Sequence, residues 1–107
     1  MNTLTETFSA LADETRLGLV ERLMREGELT AGDLVSDASI SGPAISRHLK
    51  VLRAAGIIRQ RAEGTKRYYA VQPAALQAIS NWTIDHRAFW QAGFDRLETM
   101  LAQEDGK

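Results

Sequence analysis

The stretch Ser41-Gly42-Pro43-Ala44-Ile45-Ser46-Arg47-His48-Leu49-Lys50-Val51-Leu52-Arg53-Ala54-Ala55-Gly56 decides the fold, because it carries its own start, its own stop and two distinct faces. Ser41 is a good N-cap, Pro43 is tolerated in a first helical turn, and Gly56 supplies the left-handed residue on which helices end. The spacing predicts a helix over 41–55. Ile45, Leu49 and Leu52 recur at four and three residues and form a narrow apolar stripe, whereas Ser46, Arg47, Lys50 and Arg53 point elsewhere. One face docks on a core and the other is free to meet an anion.

The residues after the glycine sharpen that reading. Ile57 to Ala62 and Thr65 to Val71 are two short runs of β-branched, aromatic and cationic residues, joined through a predicted turn at Glu63-Gly64. The pattern predicts a wing over 57–71, a two-stranded ribbon whose cations can lie against a phosphate backbone. Tyr69 is predicted to belong to the core with its hydroxyl at the edge, and Tyr68 to face the wing surface.

Upstream, Thr3-Leu4-Thr5-Glu6 fits a capping box, after which Leu4, Phe8 and Leu11 mark the apolar side of a first short helix. Asp13 can cap a second helix, whose predicted inner side is Leu17, Val20, Leu23 and Met24 and which stops at Gly27. Thr30 with Asp33 repeats the capping logic and opens a third helix through Leu34 and Val35, ending near Ala38 or Ser39. Ile40-Ser41-Gly42 is then the turn of a helix-turn-helix. The expected fold is mainly α with a small β-hairpin wing: a winged helix-turn-helix in the order αααα-ββ-α.

The chain has 107 residues, no cysteine and a net charge of −1. That length suits one domain, expected over 1–102 with a disordered tail over 103–107. With no apolar run near the ~20 residues of a membrane helix and no leader-like start, the expected address is cytoplasmic. The charge is uneven. Between Ser36 and Arg67 seven cations face two anions, a net +5, and the rest of the chain carries −6. An acidic body with a basic face is the footprint of phosphate binding, although a solvated charged face has the same composition.

From Pro73 to about Ala102 the chain reads as one helix. Leu76, Ile79, Trp82, His86, Trp90, Phe94, Leu97 and Leu101 recur at three and four residues, with Phe89 and Met100 beside them, and both tryptophans lie here. This is more apolar surface than a small domain needs internally. The reading is a homodimer interface of the terminal helices, built from Leu4, Phe8, Leu11, Trp82, Phe89, Trp90, Phe94, Leu97 and Leu101. The alternative is a helix that only caps its own core.

A two-fold dimer would place two recognition helices in successive major grooves, about 34 Å apart, on a palindromic site. Ser41, Gly42 and Pro43 open the helix, and the small Gly42 and Pro43 permit close approach. Ser46 can bond to either base type, and Arg47 can make the bidentate guanine contact. His48 and Lys50 suit phosphate, as do Arg61, Lys66 and Arg67 on the wing. Arg53 suits phosphate too, or only the helix dipole at its C-terminal end.

In their order and in their residues these elements resemble the ArsR/SmtB family of winged-helix transcriptional repressors, over nearly the whole chain. The resemblance rests on Ala10-Leu11-Ala12-Asp13-Glu14-Thr15-Arg16-Leu17, on Ile45 to Leu52 with Ala55-Gly56, and on Arg67-Tyr68-Tyr69. It implies a bacterial homodimer that binds a palindromic operator, often in its own promoter, and releases it when an effector arrives. The run Phe89 to Glu98 is similar to the branch of that family without metal ligands. Where the family's metal sensors use thiolates, this chain has Leu34-Val35-Ser36-Asp37, and Asp85 and His86 are adjacent, projecting about 100° apart on a helix. No cofactor or metal is therefore expected, with a metal-responsive repressor using non-cysteine ligands as an alternative. His86 reads as a packed or surface histidine.

Catalysis finds no support. Ser46 and His48 lie two apart on a helix and face different directions, and no glycine-rich phosphate loop follows a strand. A winged-helix module that binds protein instead of DNA remains the other class, since fold does not dictate use. The expected partners are an operator DNA, a second copy of the chain and an effector that is a protein or a small molecule.

Overall fold

In the computed structural model, which describes residues 3–105, the elements run α1 (Thr3–Leu11), α2 (Glu14–Glu26), β1 (Leu29–Thr30), α3 (Ala31–Ser36), α4 (Gly42–Ala54), β2 (Ile58–Glu63), β3 (Lys66–Val71), α5 (Pro73–Asp85) and α6 (Arg87–Asp105). By its contacts the chain falls into two compact units, one up to Leu76 and one from Gln77 onward. No linker announces this division, which falls inside a helix. In the first unit the fold is a mainly helical winged helix-turn-helix with a small antiparallel sheet, as the sequence predicts.

Local chemistry sets the helix ends. The Asp13 side chain accepts from the Arg16 backbone N–H at 3.0 Å and starts α2. Thr30 and Asp33 form a reciprocal capping box at α3, with both bonds at 3.1 Å. Ser41 Oγ accepts from the Ala44 N–H at 3.3 Å at the start of α4. At the other end of α4, Gly56 takes φ 75°, its N–H donates to Arg53 O, and the Ile57 N–H donates to Leu52 O, both at 3.0 Å. That is a Schellman ending, and its two apolar partners, Leu52 and Ile57, are both fully buried. Helix α4 is thus stopped and docked by the same three residues. In α1, Thr3 is already helical and accepts at its carbonyl from Thr7 Oγ1 at 2.9 Å; the residues before it lie outside the described chain.

The core gathers Leu19, Val20 and Leu23 of α2, Leu34 of α3, Ile45, Leu49 and Leu52 of α4, then Ile57, Ile58 and Tyr69. Each fully buried aliphatic side chain stabilises by about 1.5–3 kcal/mol relative to exposure. Along α2 the sequence reading needs correction. Leu17 and Met24 are 44% and 59% exposed, and Leu19, not among the predicted inner residues, is buried. The predicted and observed faces share Val20 and Leu23, and the packing of α2 on α1, α4 and β3 turns Leu19 inward in place of Leu17 and Met24.

The sheet also differs in detail. Its order is β1-β3-β2, so the hairpin gains a third, two-residue strand in which Leu29 pairs with Tyr69 and Thr30 with Tyr68. Across the hairpin, Ile58 pairs with Val71 and Glu63 with Lys66. The turn is therefore Gly64-Thr65, one residue later than predicted. Gly64, at φ 63°, occupies the first loop position, where a II′ hairpin requires positive φ.

Beyond Gln77, the single long helix predicted from the apolar stripe is two helices broken at His86. The break is fastened by side chains. His86 Nδ1 donates to Trp82 O at 2.7 Å, and Trp90 Nε1 donates to Thr83 O at 3.0 Å, so both satisfy carbonyls at the end of α5. Trp90 meets Phe94 edge-on with ring centroids 5.8 Å apart. The last helix continues through Gln103, Glu104 and Asp105, where composition predicts a disordered tail; Gly106 and Lys107 lie outside the described residues.

Candidate nucleic-acid interface

Helix α4 packs on α1, α2 and α3. Ile45, Leu49 and Leu52 point inward, so the opposite face is left to Ser46, Arg47, Lys50 and Arg53, all exposed, with Ser41 and Pro43 exposed at its start. Neither Arg47, Lys50 nor Arg53 makes an ion pair with a described residue, and α4 itself contains no carboxylate. Gly42, the predicted point of close approach, also borders α3. A Cβ there would meet Val35 Cγ1 at 3.7 Å, so its small side faces α3 inside the helix-turn-helix.

Two predicted phosphate ligands are already engaged. His48 is turned away from the cationic face: its Nδ1 lies 3.3 Å from Arg16 Nη1 and 3.8 Å from Asp13 Oδ2. Arg61 is held by Glu28 through two contacts of 2.9 and 2.6 Å and by Glu63 at 2.8 Å, and its guanidinium lies 4.3 Å from the centre of the Tyr68 ring. Glu28 and Glu63 raise the Arg61 pKa, and the Arg61 hydrogen bond holds the Glu28 carboxyl below its ordinary range. Two carboxylates on one guanidinium leave that cluster with net negative charge. Sequence could place Arg61 in the wing but not Glu28 beside it, 33 residues away.

The wing tip keeps its other cations. Lys66 and Arg67 are exposed and form no ion pair with a described residue, and Arg59, not singled out from sequence, is also exposed on β2. Its signal was present, since Arg59 and Arg61 are two apart and share one face of the strand. Gln60 Nε2 donates to the Tyr69 hydroxyl at 3.0 Å, which satisfies the buried tyrosine at the wing root.

The chain is 43% identical over 97 residues to the HTH-type transcriptional regulator Rv2034 of Mycobacterium tuberculosis, covering 91% of this chain and 87% of that protein. Residues 13–60 match the family of bacterial regulatory proteins named for ArsR. This chain belongs to the ArsR family. The transcriptional repressor SdpR of Bacillus subtilis is 34% identical over 82 residues, covering 77% of this chain and 90% of its own. A crystal structure of an ArsR family transcriptional regulator superposes with TM-score 0.74 at 29% identity, covering 83% of this chain and 91% of that one. As an ArsR-family protein the chain is a DNA-binding transcriptional regulator and not an enzyme.

Among the described residues no three His, Cys, Asp or Glu side chains are grouped so as to hold a metal ion, and no helix is long and apolar enough to cross a membrane. The chain beyond Gln77 is notable for its surface. Phe89 is 81% exposed and Phe94 60%, with Leu97, Met100 and Leu101 also more than half exposed, and on α1 Phe8 is exposed as well.

Proposed function

We propose that this chain is a cytoplasmic homodimeric repressor that binds a two-fold operator, its own promoter included, with α4 in the major groove and the wing on the flanking backbone. The observation that carries this reading is the set of exposed cations without carboxylate partners, Arg47, Lys50 and Arg53 on α4 and Lys66 and Arg67 at the wing tip, on a chain that is acidic elsewhere. Arg47 and Ser46 read base edges; Lys50, Arg53, Lys66 and Arg67 hold phosphates, and Ser41 and Pro43 border the DNA at the helix start. Repression is supported by the likeness to SdpR, itself a transcriptional repressor.

The dimer is built from Leu4, Phe8 and Leu11 of α1, Trp82 of α5 and Phe89, Trp90, Phe94, Leu97 and Leu101 of α6. Large exposed apolar patches on a soluble regulator are association surfaces, and a two-fold axis pairs identical patches. The chain falls in the branch without metal ligands: it has no thiol to select a soft metal, and His86 spends its Nδ1 on Trp82 O. Its effector is then a protein or a small molecule.

A salt-controlled titration against the DNA upstream of its own gene, with scrambled DNA of equal length as competitor, tests the reading. The expected preference is a factor of about a thousand or more. Equal affinity for both sequences, with dimerisation intact, would favour a winged-helix module whose partner is a protein.

A further inference from the structure

The motif Asp13-Glu14-Thr15-Arg16 does more than cap a helix, because its side chains reach the recognition helix. We propose that Arg16 and Asp13 are positioning residues for DNA reading: through the His48 imidazole they fix the rotation of α4 and so the presentation of Ser46, Arg47 and Lys50. The proposal rests on α4 being the helix that reads DNA.

The geometry is that of a braced strut. Arg16 Nε donates to Ala10 O at 2.6 Å, taking up a carbonyl left open at the end of α1. Its backbone N–H is held by Asp13 Oδ2 at 3.0 Å, and Asp13 Oδ1 lies 4.0 Å from Arg16 Nη1. A short hydrogen bond at Nε and a carboxylate beside Nη1 restrict the planar guanidinium. The same Nη1 then meets His48 Nδ1 at 3.3 Å, 32 residues away in sequence. A guanidinium only donates, so for this contact to be a hydrogen bond His48 Nδ1 must accept, which requires the tautomer with its proton on Nε2. The arginine is one-fifth exposed and the histidine one-quarter, so water competes only in part.

Such a brace has something to correct. Ile45, Leu49 and Leu52 hold α4 to the core through apolar contact, which is non-directional and leaves rotation of the helix about its own axis weakly fixed. His48 lies next to that stripe on one side and to Arg47 on the other. With side-chain tips about 6 Å from the helix axis, a rotation of about 10° carries a base-reading group about 1 Å, enough to spoil a bidentate contact. One directional bond at the stripe's edge suppresses that motion.

The test uses the full chain and three variants, His48→Ala, His48→Asn and Arg16→Lys, with operator and scrambled DNA titrated over a range of salt. His48→Ala is expected to lower the ratio of operator to scrambled affinity about tenfold while leaving the slope of log K against log salt unchanged. His48→Asn, whose amide oxygen can accept from Arg16, should restore most of that ratio. In Arg16→Lys, which cannot hold Ala10 O and His48 together, the imidazole 15N spectrum should lose the pure Nε2–H signature expected of the parent.

A slope reduced by His48→Ala would make His48 a phosphate ligand and overturn the proposal. So would equal losses on both DNAs tracking a lower melting temperature, or a ratio that does not change. If Arg47→Ala also leaves the ratio unchanged, the fault lies with the reading of α4 itself and not with the brace.

Discussion

Lys66 and Arg61 lie on the two strands of one wing, carry the same charge and differ in one respect: Arg61 is bound by two carboxylates and Lys66 by none. Lys66→Ala is therefore expected to change DNA binding without changing the fold. The side chain is exposed and makes no hydrogen bond with a described residue, so its loss should alter stability by less than about 0.5 kcal/mol. On DNA, each phosphate neutralised contributes about 0.9 to the slope of log K against log salt, and a two-fold dimer counts each lysine twice, giving about 1.8. Between about 50 and 200 mM salt, a fourfold range, the parent protein should then lose about twelvefold more affinity than the variant. Fluorescence anisotropy with labelled operator and with scrambled DNA reads this directly, and both sequences should respond alike. Arg61→Ala, made in parallel, should leave the slope unchanged. An unaltered slope for Lys66→Ala, or a flattening by Arg61→Ala as large as that expected for Lys66→Ala, would refute the inference from ion pairing to phosphate contact.

Other perturbations separate the remaining parts. Arg47→Ala should cost about 1–3 kcal/mol on the operator and much less on scrambled DNA, measured by competition binding. Phe94→Ala, which removes an aromatic ring that is 60% exposed in one chain, should raise the monomer–dimer dissociation constant in sedimentation equilibrium; an unchanged constant would place the interface elsewhere. Leu52→Ala should cost about 2–5 kcal/mol in urea unfolding, since its side chain is fully buried at the Schellman ending of α4. The Asp33 carboxyl is held below its ordinary range, first by the Thr30 backbone N–H and then by the Thr30 hydroxyl. Its folded pKa lies below the unfolded value of about 4, so the stability it lends is fully present above that pH and fades as the pH falls through the folded value. Urea midpoints measured from neutral pH into the acid range should thus fall less steeply for Asp33→Asn than for the parent.

Much of the fold was legible in the residues because local chemistry dictated it. Caps at Asp13, Thr30 and Ser41, and the glycine stop at Gly56, are encoded within a few residues of where they act. The inner face of α2 was legible only in part: Val20 and Leu23 belong to the predicted and the observed face alike, but helical spacing admits either Leu17 with Met24 or Leu19 beside them, and only the neighbours of the helix choose. Strand β1 is two residues long and shows no alternation; it exists through its pairing with Tyr68 and Tyr69. The break at His86 lacks glycine or proline, and the apolar stripe continues through it, so only the bonds from His86 and Trp90 to the end of α5 reveal it. At the interface, the cations themselves were readable. Which were already spent was not, since Glu28 and Arg16 come from distant parts of the chain.

The short strand β1 also grades the wing along its length. Near its root, Tyr68 and Tyr69 are sandwiched between two neighbours, and Leu29-Thr30 runs straight into the capping box of α3. Toward the tip, from Ala62 to Arg67, β3 has a neighbour on one side only, and every side chain is exposed. Amide hydrogens should accordingly exchange slowly at the base and quickly at the end, like a diving board clamped at one edge. A hairpin of that build can carry Lys66 and Arg67 toward backbones of differing groove width while its clamped base keeps the recognition helix undisturbed.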